Sequence, residues 1–231
     1  MVCRIRVRET PVSEAPTQQG NRLDRRKART KAALIRAART LIAEGRTNVP
    51  ILEITQAADV GMGSFYNHFE TKEQLFDAAV ESVMDAYGQL LDALTADIED
   101  PAEVFATSFR LAGRLHRREP ELSRVLLNNA LRLLSSEDGL APRARRDIQA
   151  GVDAGRFKVD DVDLAVTMAA GALFCLGQLL HDQPDRDDAG AADHLAEDLL
   201  RVFGVPPKQA HRICTLPLPD PDAVRGNGSA A

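Results

Sequence analysis

The sequence predicts an all-α fold in which three short helices are followed by about six longer ones. From Asp24 to Phe203, apolar residues recur at alternating spacings of three and four, which is the periodicity of one helix face. Glycine and proline stand where helices end and begin, as at Gly45 and Pro101. No two segments alternate apolar and polar residues in the manner of paired strands.

The first three predicted helices are short, and their ends carry clear signals. Leu34 and Ile42 lie on the apolar stripe of the first helix, which Gly45 terminates. Pro50 opens the second helix, because a proline in the first turn costs no helical hydrogen bond. A break at residues 59–61 then separates this helix from a third one.

The longer helices follow from residue 71 onward. Thr71 caps the fourth helix, and Gln74, three residues later, completes a capping box. Further helical stripes run over residues 101–115, 122–133, 144–152, 161–180 and 195–203.

The composition is typical of a globular protein of the cytoplasm. Three cysteines (Cys3, Cys175 and Cys214) are too few for a disulfide framework, so we expect a reducing compartment. No secretory signal is recognisable at the N-terminus. The most apolar stretch, residues 164–180, is too short to cross a bilayer and is predicted to be a buried interface helix.

Charge is divided unevenly along the chain. The net charge is −5, but residues 1–46 hold 12 basic and 4 acidic side chains, whereas the remainder holds 17 basic and 30 acidic ones. A basic arm on an acidic body favours local binding to phosphate, with the body repelled by a polyanion. A basic segment that is simply solvated is the alternative interpretation.

Residues 51–69 carry the most informative motif. Two short apolar-striped helices joined by a tight break are typical of a helix-turn-helix, which lays its second helix in the major groove of DNA. Small or polar residues at the start of that helix would approach bases, namely Met62, Gly63 and Ser64. Phe65 and Phe69 would form the buried face that holds the helix in place.

The run from Gly63 to Phe69, followed by Lys72, Glu73, Gln74 and Leu75, resembles the recognition helix and the following helix of the TetR family of transcriptional regulators. The similarity extends over residues 27–80. It implies that Met62, Gly63 and Ser64 approach bases and that Tyr66, His68 and Lys72 meet the DNA backbone. It also implies a basic arm, formed by Arg25, Arg26, Lys27 and Arg29, along the backbone or in the minor groove.

Three positions depart from the family pattern. The turn glycine is replaced by Asp59, which reaches a left-handed conformation only at a cost. Gly61 precedes the third helix in place of a serine or threonine, and is a weaker cap. Val49 stands where the family usually has a threonine, so the hydroxyl that contacts a phosphate there is missing. Thr47 or Asn48 could substitute for it.

The resemblance divides the chain into four parts. Residues 1–22 are predicted to be a disordered leader, 23–70 the DNA-binding domain, 71–204 a helical ligand-binding and dimerisation domain, and 205–231 a loose proline-rich tail. The expected partners are double-stranded DNA with an inverted-repeat operator, an unknown small-molecule effector, and a second copy of the chain, with no membrane.

Within the C-terminal domain, two sets of residues are predicted from their positions on apolar stripes. Tyr87, His116 and Asn129 are candidates for lining a ligand pocket. The predicted dimer interface comprises Leu164, Met168, Gly171, Cys175 and Leu179 on one helix and Leu195, Leu199 and Val202 on the next, with packing inside one subunit as the alternative.

Motifs for catalysis or metal binding do not emerge from the sequence. The five histidines lack metal-ligand spacing, and the serines lie in no nucleophile elbow. We therefore predict no catalytic residues, no metal and no cofactor. Besides a ligand-responsive repressor, the sequence allows an architectural DNA-binding protein without ligand control, or a helical dimeric binding module that has lost DNA binding.

Overall fold

The computed structural model describes residues 18–134 and 139–222, and it confirms the all-α class. The described residues form eleven helices and no strand. The helices are α1 (Gln18–Ala43), α2 (Ile51–Ala57), α3 (Met62–Tyr66), α4 (Lys72–Thr95), α5 (Pro101–Arg118), α6 (Pro120–Asn128), α7 (Ala130–Leu134), α8 (Leu140–Asp153), α9 (Val162–Asp182), α10 (Asp188–Val202) and α11 (Pro207–Cys214).

The predicted number of about nine helices is too low for two reasons. The stripe over 122–133 is divided between α6 and α7, because Asn129 leaves the helical conformation between them. The predicted loose tail begins instead with α11, whose Ala210 and Ile213 are buried against the rest of the chain. At the other end, α1 already begins at Gln18, and residues 1–17 of the predicted leader lie outside the described residues.

The predicted helix signals are present in the structure. Gly45 has a φ of +69° just after α1, and the Arg46 N–H bonds back to the Leu41 carbonyl. Thr71 Oγ1 accepts a hydrogen bond from the Gln74 N–H at the start of α4. The return bond of the predicted capping box differs, because the Gln74 side chain accepts from the N–H of Glu70, one residue earlier.

Two large apolar clusters hold the helices together. The first joins α1–α4 and includes Leu34, Ile54 and Phe65, each with no exposed surface. The second joins α5 with α8–α11 and includes Phe105, Phe157 and Phe203. Since truncating a buried phenylalanine costs about 3–5 kcal/mol, these clusters dominate the stability of the fold.

Helix α5 passes through the middle of the C-terminal domain. It packs against α4, α6, α8, α9, α10 and α11. Its buried Arg110 donates to Asp193 of α10 at 2.8 Å and to the Leu216 carbonyl at 3.0 Å, so the last helices are fixed to it. Helix α5 is therefore the element that these helices share as a packing partner.

Candidate DNA-binding face and effector cavity

Helices α2 and α3 form a helix-turn-helix with an unusual residue in its turn. Asp59 has a φ of +53°, the left-handed conformation expected for the position of the family's turn glycine. The Val60 N–H donates to the Thr55 carbonyl at 3.0 Å, which closes the turn. Gly61 precedes α3 with no side-chain cap, as expected for a residue that has no side-chain acceptor.

One face of α3 is anchored in the core and the other is open. Phe65 is fully buried and contacts the ring of Tyr66 edge to face, with 5.2 Å between centroids. Met62 and Tyr66 are 42% and 59% exposed, and space is open where a side chain on Gly63 would lie. Ser64 is half-buried between these faces. The open face therefore carries the residues expected to approach DNA.

Lys72 lies beside this face, at the start of α4. Its Nζ atom donates to Asn48 Oδ1 at 2.9 Å, so Asn48 orients the lysine from the segment before α2. His68 is half-buried in the short link between α3 and α4. The amino end of a helix and a lysine together favour an anion at this position.

Basic residues extend the same surface along the first turns of α1. Arg25, Arg26, Lys27 and Arg29 are all exposed. Lys31, two residues after Arg29, lies 6.0 Å from the centre of the Phe69 ring. The positive arm predicted from the sequence is therefore a solvent-exposed, helical extension of the DNA-binding unit.

A cavity of about 110 Å³ lies between α4, α5, α8 and α9. Its walls are mainly apolar and include Phe105, Phe109, Leu173 and Phe174. Polar groups reach it at few positions, which is the usual make-up of a small-molecule site.

Four charged residues, here termed the Arg–Asp cluster, line one part of the cavity: Asp92 on α4 and Arg143, Arg146 and Asp147 on α8. Arg143 Nε and Arg146 Nη2 each donate to one oxygen of Asp92, both at 2.8 Å. Arg146 Nε also donates to Asp147 at 2.9 Å. The cluster joins α4 to α8 through charge-assisted hydrogen bonds.

The two carboxylates of the cluster differ in environment. Burial raises the pKa of Asp147, and the bond from Arg146 only partly opposes this effect. Burial also acts on Asp92, but hydrogen bonds from Arg143 and Arg146 bring its pKa below the usual value. Asp147 is thus a buried acceptor that retains affinity for a proton or for another hydrogen-bond donor.

A second polar group reaches the cavity from α5. His116 is 4% exposed, and its Nδ1 lies 2.7 Å from Ser123 Oγ of α6. Ser123 Oγ lies 2.9 Å from Nε2 of His181 on α9. Gly177 provides the space for the imidazole, because a Cβ atom there would lie 2.4 Å from the ring. Burial lowers the pKa of His116 to about 4, so the ring is neutral at physiological pH.

The other two predicted pocket residues, Tyr87 and Asn129, make hydrogen bonds elsewhere and do not line this cavity, so a ligand-binding role for them stays a prediction. The Tyr87 hydroxyl donates to the Leu111 carbonyl at 2.9 Å and joins α4 to α5 outside the cavity lining. The Asn129 amide donates to the Val125 carbonyl at 2.8 Å within its own helix end. Only His116 of the three predicted residues lines the cavity.

The Arg–Asp cluster was missed in the sequence. Arg143, Arg146 and Asp147 have the spacing of one helix face, a signal that could have singled out the inward face of α8. Asp92, however, lies some fifty residues away, and only the packing of α4 against α8 reveals the pairing. Gly88 permits this packing, since a Cβ atom there would lie 2.6 Å from the Arg143 guanidinium.

Most residues of the predicted dimer interface lie on an open face of α9. Leu164 is 67% and Met168 40% exposed, Cys175 is exposed, and no atom lies close to a Cβ on Gly171. Leu179 and Leu195 are half-buried, and Val202 on α10 is exposed. Leu199 differs from its predicted place in the dimer interface. It is 4% exposed and packs in the core of its own subunit, because α10 turns that position inward.

Helix α9 also has the length and apolar character of a membrane span, and it is the only described helix that does. Of that apolar stretch, 28% is buried in the subunit. Among residues 18–134 and 139–222 no cluster of histidine, cysteine and acidic side chains could hold a metal ion. Burial raises the pKa of the Cys214 thiol to about 12, which removes its nucleophilic character.

The cavity and the DNA-binding unit share apolar residues. Met84, Leu115 and Leu126 line the cavity. The same three side chains belong to the cluster that contains Leu34 of α1 and Phe65 of α3. The cavity wall is therefore continuous with the apolar core that contains Phe65 of α3.

A helix-turn-helix with a basic arm, joined to a helical domain with an apolar cavity, defines the class of two-domain regulators that bind DNA and a small molecule. Comparison with known proteins identifies the family. The profile described as "Bacterial regulatory proteins, tetR family" matches residues 34–79, and the profile described as "Tetracyclin repressor-like, C-terminal domain" matches residues 100–215. The chain belongs to the TetR family, and it is a ligand-responsive, DNA-binding transcriptional regulator.

Similar proteins include several regulators. The transcriptional regulator TcmR of Streptomyces glaucescens is 30% identical, over 84% of this chain and 92% of that protein. The transcriptional repressor KstR2 of Mycolicibacterium smegmatis is 28% identical, over 65% of this chain and 75% of its own. Among solved structures, RolR in complex with resorcinol is 36% identical, covers 85% of this chain and 98% of its own, and has a TM-score of 0.66.

Proposed function

We propose that this protein is a cytoplasmic, homodimeric repressor that binds an inverted-repeat operator and is released by a small hydroxylated aromatic effector. The observation that carries the effector class is the cavity, which combines apolar walls with the Arg–Asp cluster, of which Asp147 is buried. In this proposal the chain acts through binding alone and has no catalytic role.

The roles of the DNA-facing residues follow from their positions. Met62, Gly63 and Ser64 at the start of α3 approach base edges in the major groove. Tyr66, His68 and Lys72 contact phosphates, and the arm of Arg25, Arg26, Lys27 and Arg29 follows the backbone. The exposure of Met62 and Tyr66 and the orientation of Lys72 by Asn48 support this assignment.

The size and lining of the cavity indicate the effector. An apolar cavity of about 150 Å³ holds one benzene molecule, so about 110 Å³ is of the order of a single ring. Phenylalanine walls favour an aromatic body. A hydroxyl group can donate a hydrogen bond to Asp147 and accept one from a guanidinium group. A hydroxylated ring therefore suits both kinds of polar group in the cluster.

Similarity to RolR supports the same class of effector. That protein, 36% identical over nearly its whole length, is described in complex with resorcinol, a dihydroxylated benzene. Resorcinol is therefore the first compound to test on this chain. The residues that line the cavity provide donors and acceptors for the hydroxyl groups of such a molecule.

Dimerisation would cover the open face of α9. Its exposed apolar residues, with Val202 of α10, form a stripe that a second copy could bury in a four-helix seam. Replacing Met168 with glutamate would place two like charges across the two-fold axis. Sedimentation equilibrium should then show monomers, and a dimer of unchanged stability would refute this interface.

Regulation requires that the effector bind the two conformations of the dimer unequally. Filling the cavity displaces the residues it shares with the DNA-binding core, chiefly Met84, Leu115 and Leu126. The resulting shift of α4 and α6 changes the separation of the two α3 helices. The effector then favours a conformer that fits successive half-sites poorly.

Selection of bound sites from random duplex DNA, at two salt concentrations, tests the DNA-binding part of the proposal. An inverted repeat with steep salt dependence is expected. Weak sequence preference without any effect of resorcinol would indicate an architectural protein. Recovery of no site at either salt concentration would indicate a helical binding module that does not bind DNA.

A further inference from the structure

We propose that the Nε2 atom of His116 is a hydrogen-bonding subsite for a hydroxyl group of the effector, linked through Ser123 to the DNA-binding unit. This inference rests on the proposed function and adds a second polar contact to the Arg–Asp cluster. The cluster approaches the cavity from α4 and α8, whereas His116 approaches it from α5.

The first observation is an unsatisfied polar atom. His116 Nε2 is the one fully buried side-chain nitrogen or oxygen in the described residues that makes no hydrogen bond of normal geometry, although the backbone of Leu173 lies close enough to the imidazole to raise its pKa. Leaving such an atom unpaired is unfavourable, so native structures rarely retain one without a reason. The histidine lines the cavity, and a ligand there could supply the missing partner.

The second observation is the hydrogen-bonded chain on the other side of the ring. Ser123 has one hydroxyl hydrogen, so the chain from His116 to His181 can run in two directions. In one, Nδ1 of His116 donates and Nε2 is an acceptor. In the other direction, Ser123 donates to Nδ1 of His116. The hydrogen of the imidazole is then on Nε2, which acts as a donor. A hydroxyl group both donates and accepts, so it satisfies Nε2 in either arrangement.

The third observation connects the subsite to DNA binding. Ser123 belongs to α6, which packs against α1 of the DNA-binding unit. The Glu121 side chain, from the first turn of α6, lies against Gly45, which terminates α1. A hydroxyl that engages Nε2 and fixes the imidazole therefore acts, through one hydrogen bond, on the helix that supports α1.

Isothermal titration of resorcinol, phenol and benzene into the full-length protein tests the subsite. For the His116→Phe variant, which retains a ring of similar size, we expect resorcinol to bind about tenfold more weakly, the value of one buried hydrogen bond. Benzene, which has no hydroxyl group, should bind the variant and the wild type equally. Thermal unfolding confirms that the variant is folded.

The Ser123→Ala variant tests the link. It retains Nε2, so resorcinol should bind within about threefold of the wild type. The resorcinol concentration that releases half of the selected operator should nevertheless rise about tenfold, because α6 no longer follows the imidazole. Unchanged operator release in this variant would overturn the link, and it would do so whether or not His116→Phe folds.

The outcomes separate this inference from the proposed function. If resorcinol binds the wild type and His116→Phe with equal affinity, the subsite is wrong and the hydroxylated-ring proposal stands. If resorcinol and phenol both fail to bind the wild type, the proposed effector class is wrong and the subsite falls with it.

Discussion

The DNA-facing surface and the effector cavity of this protein organise their polar groups in opposite ways. On the arm of α1 the charged side chains are exposed, as is Tyr66 on α3, and the DNA contacts proposed for them replace contacts with water. In the cavity, Asp147 and His116 are buried and hydrogen-bonded within the protein. Asp147 accepts from Arg146 of the same helix, and His116 is paired with Ser123 of α6. Substitutions at the DNA surface should therefore change affinity alone, whereas substitutions in the cavity should change stability as well.

The largest expected effect on stability is the pH dependence caused by His116. Its pKa is about 4 in the folded state and 6.5 in the unfolded state, so the unfolded state binds the proton more tightly. Stability from this group is complete above pH 6.5 and is lost as pH falls toward 4, by roughly 3 kcal/mol. Urea unfolding at pH 7.0, 5.5 and 4.5 measures it.

The His116→Phe variant is the control for that titration, because phenylalanine cannot be protonated. Its free energy of unfolding should fall less steeply than that of the wild type over the same pH interval. Parallel pH profiles for the two proteins would show that other groups cause the dependence.

The second effect concerns Asp147. Asparagine at this position retains the shape but removes the charge that accepts from Arg146 and from an effector hydroxyl. We expect resorcinol to bind at least tenfold more weakly, since hydrogen bonds to charged groups contribute about 1.5–3 kcal/mol. Asp153→Asn, at the end of the same helix and outside the cavity, is the matched control. Equal affinities for both variants would remove Asp147 from the effector site.

Lys72→Ala should have a smaller effect, and on DNA binding only. The loss of one phosphate contact weakens binding to all sequences and reduces the slope of log affinity against log salt by about 0.9. Lys208→Ala, an exposed lysine of α11, should leave both unchanged. Fluorescence anisotropy at several salt concentrations measures both quantities, and an unaltered slope would exclude Lys72 from the DNA contact.

Ser64→Ala should produce the smallest change in overall affinity. A residue at a base edge contributes about 1–3 kcal/mol of discrimination at one base pair, with little effect on nonspecific binding. Repeating the site selection with this variant should relax the preference at a single position of each half-site. Identical selected motifs would show that Ser64 contacts no base.

The same comparison explains which parts of the structure the sequence could predict. The helix-turn-helix depends on local signals, so Gly45, Thr71 and the left-handed Asp59 could each be anticipated from nearby residues. The cavity depends on pairs distant in sequence, such as Asp92 with Arg146 and His116 with Ser123 and His181. Tyr87 and Asn129 hydrogen-bond to the carbonyl groups of Leu111 and Val125, and neither side chain lines the cavity.

Leu199 and α11 show that the burial of an apolar residue also cannot be predicted from its helix alone. Leu199 shares an apolar stripe with residues predicted at the dimer interface, but the packing of α10 on α5 places it inside the subunit. The prolines near residue 207 suggested a loose tail, whereas they begin a helix whose buried face completes the second apolar cluster. Neither outcome depends on local sequence alone.

The most direct test of the account is the affinity of resorcinol for the dimer free in solution and for the dimer bound to its selected operator. Linkage requires that an effector which releases DNA bind the free dimer more tightly, by about 5- to 150-fold for typical coupling energies. A ratio in this range is the predicted result. Equal affinities for the free and operator-bound dimer would contradict control of DNA binding from the cavity.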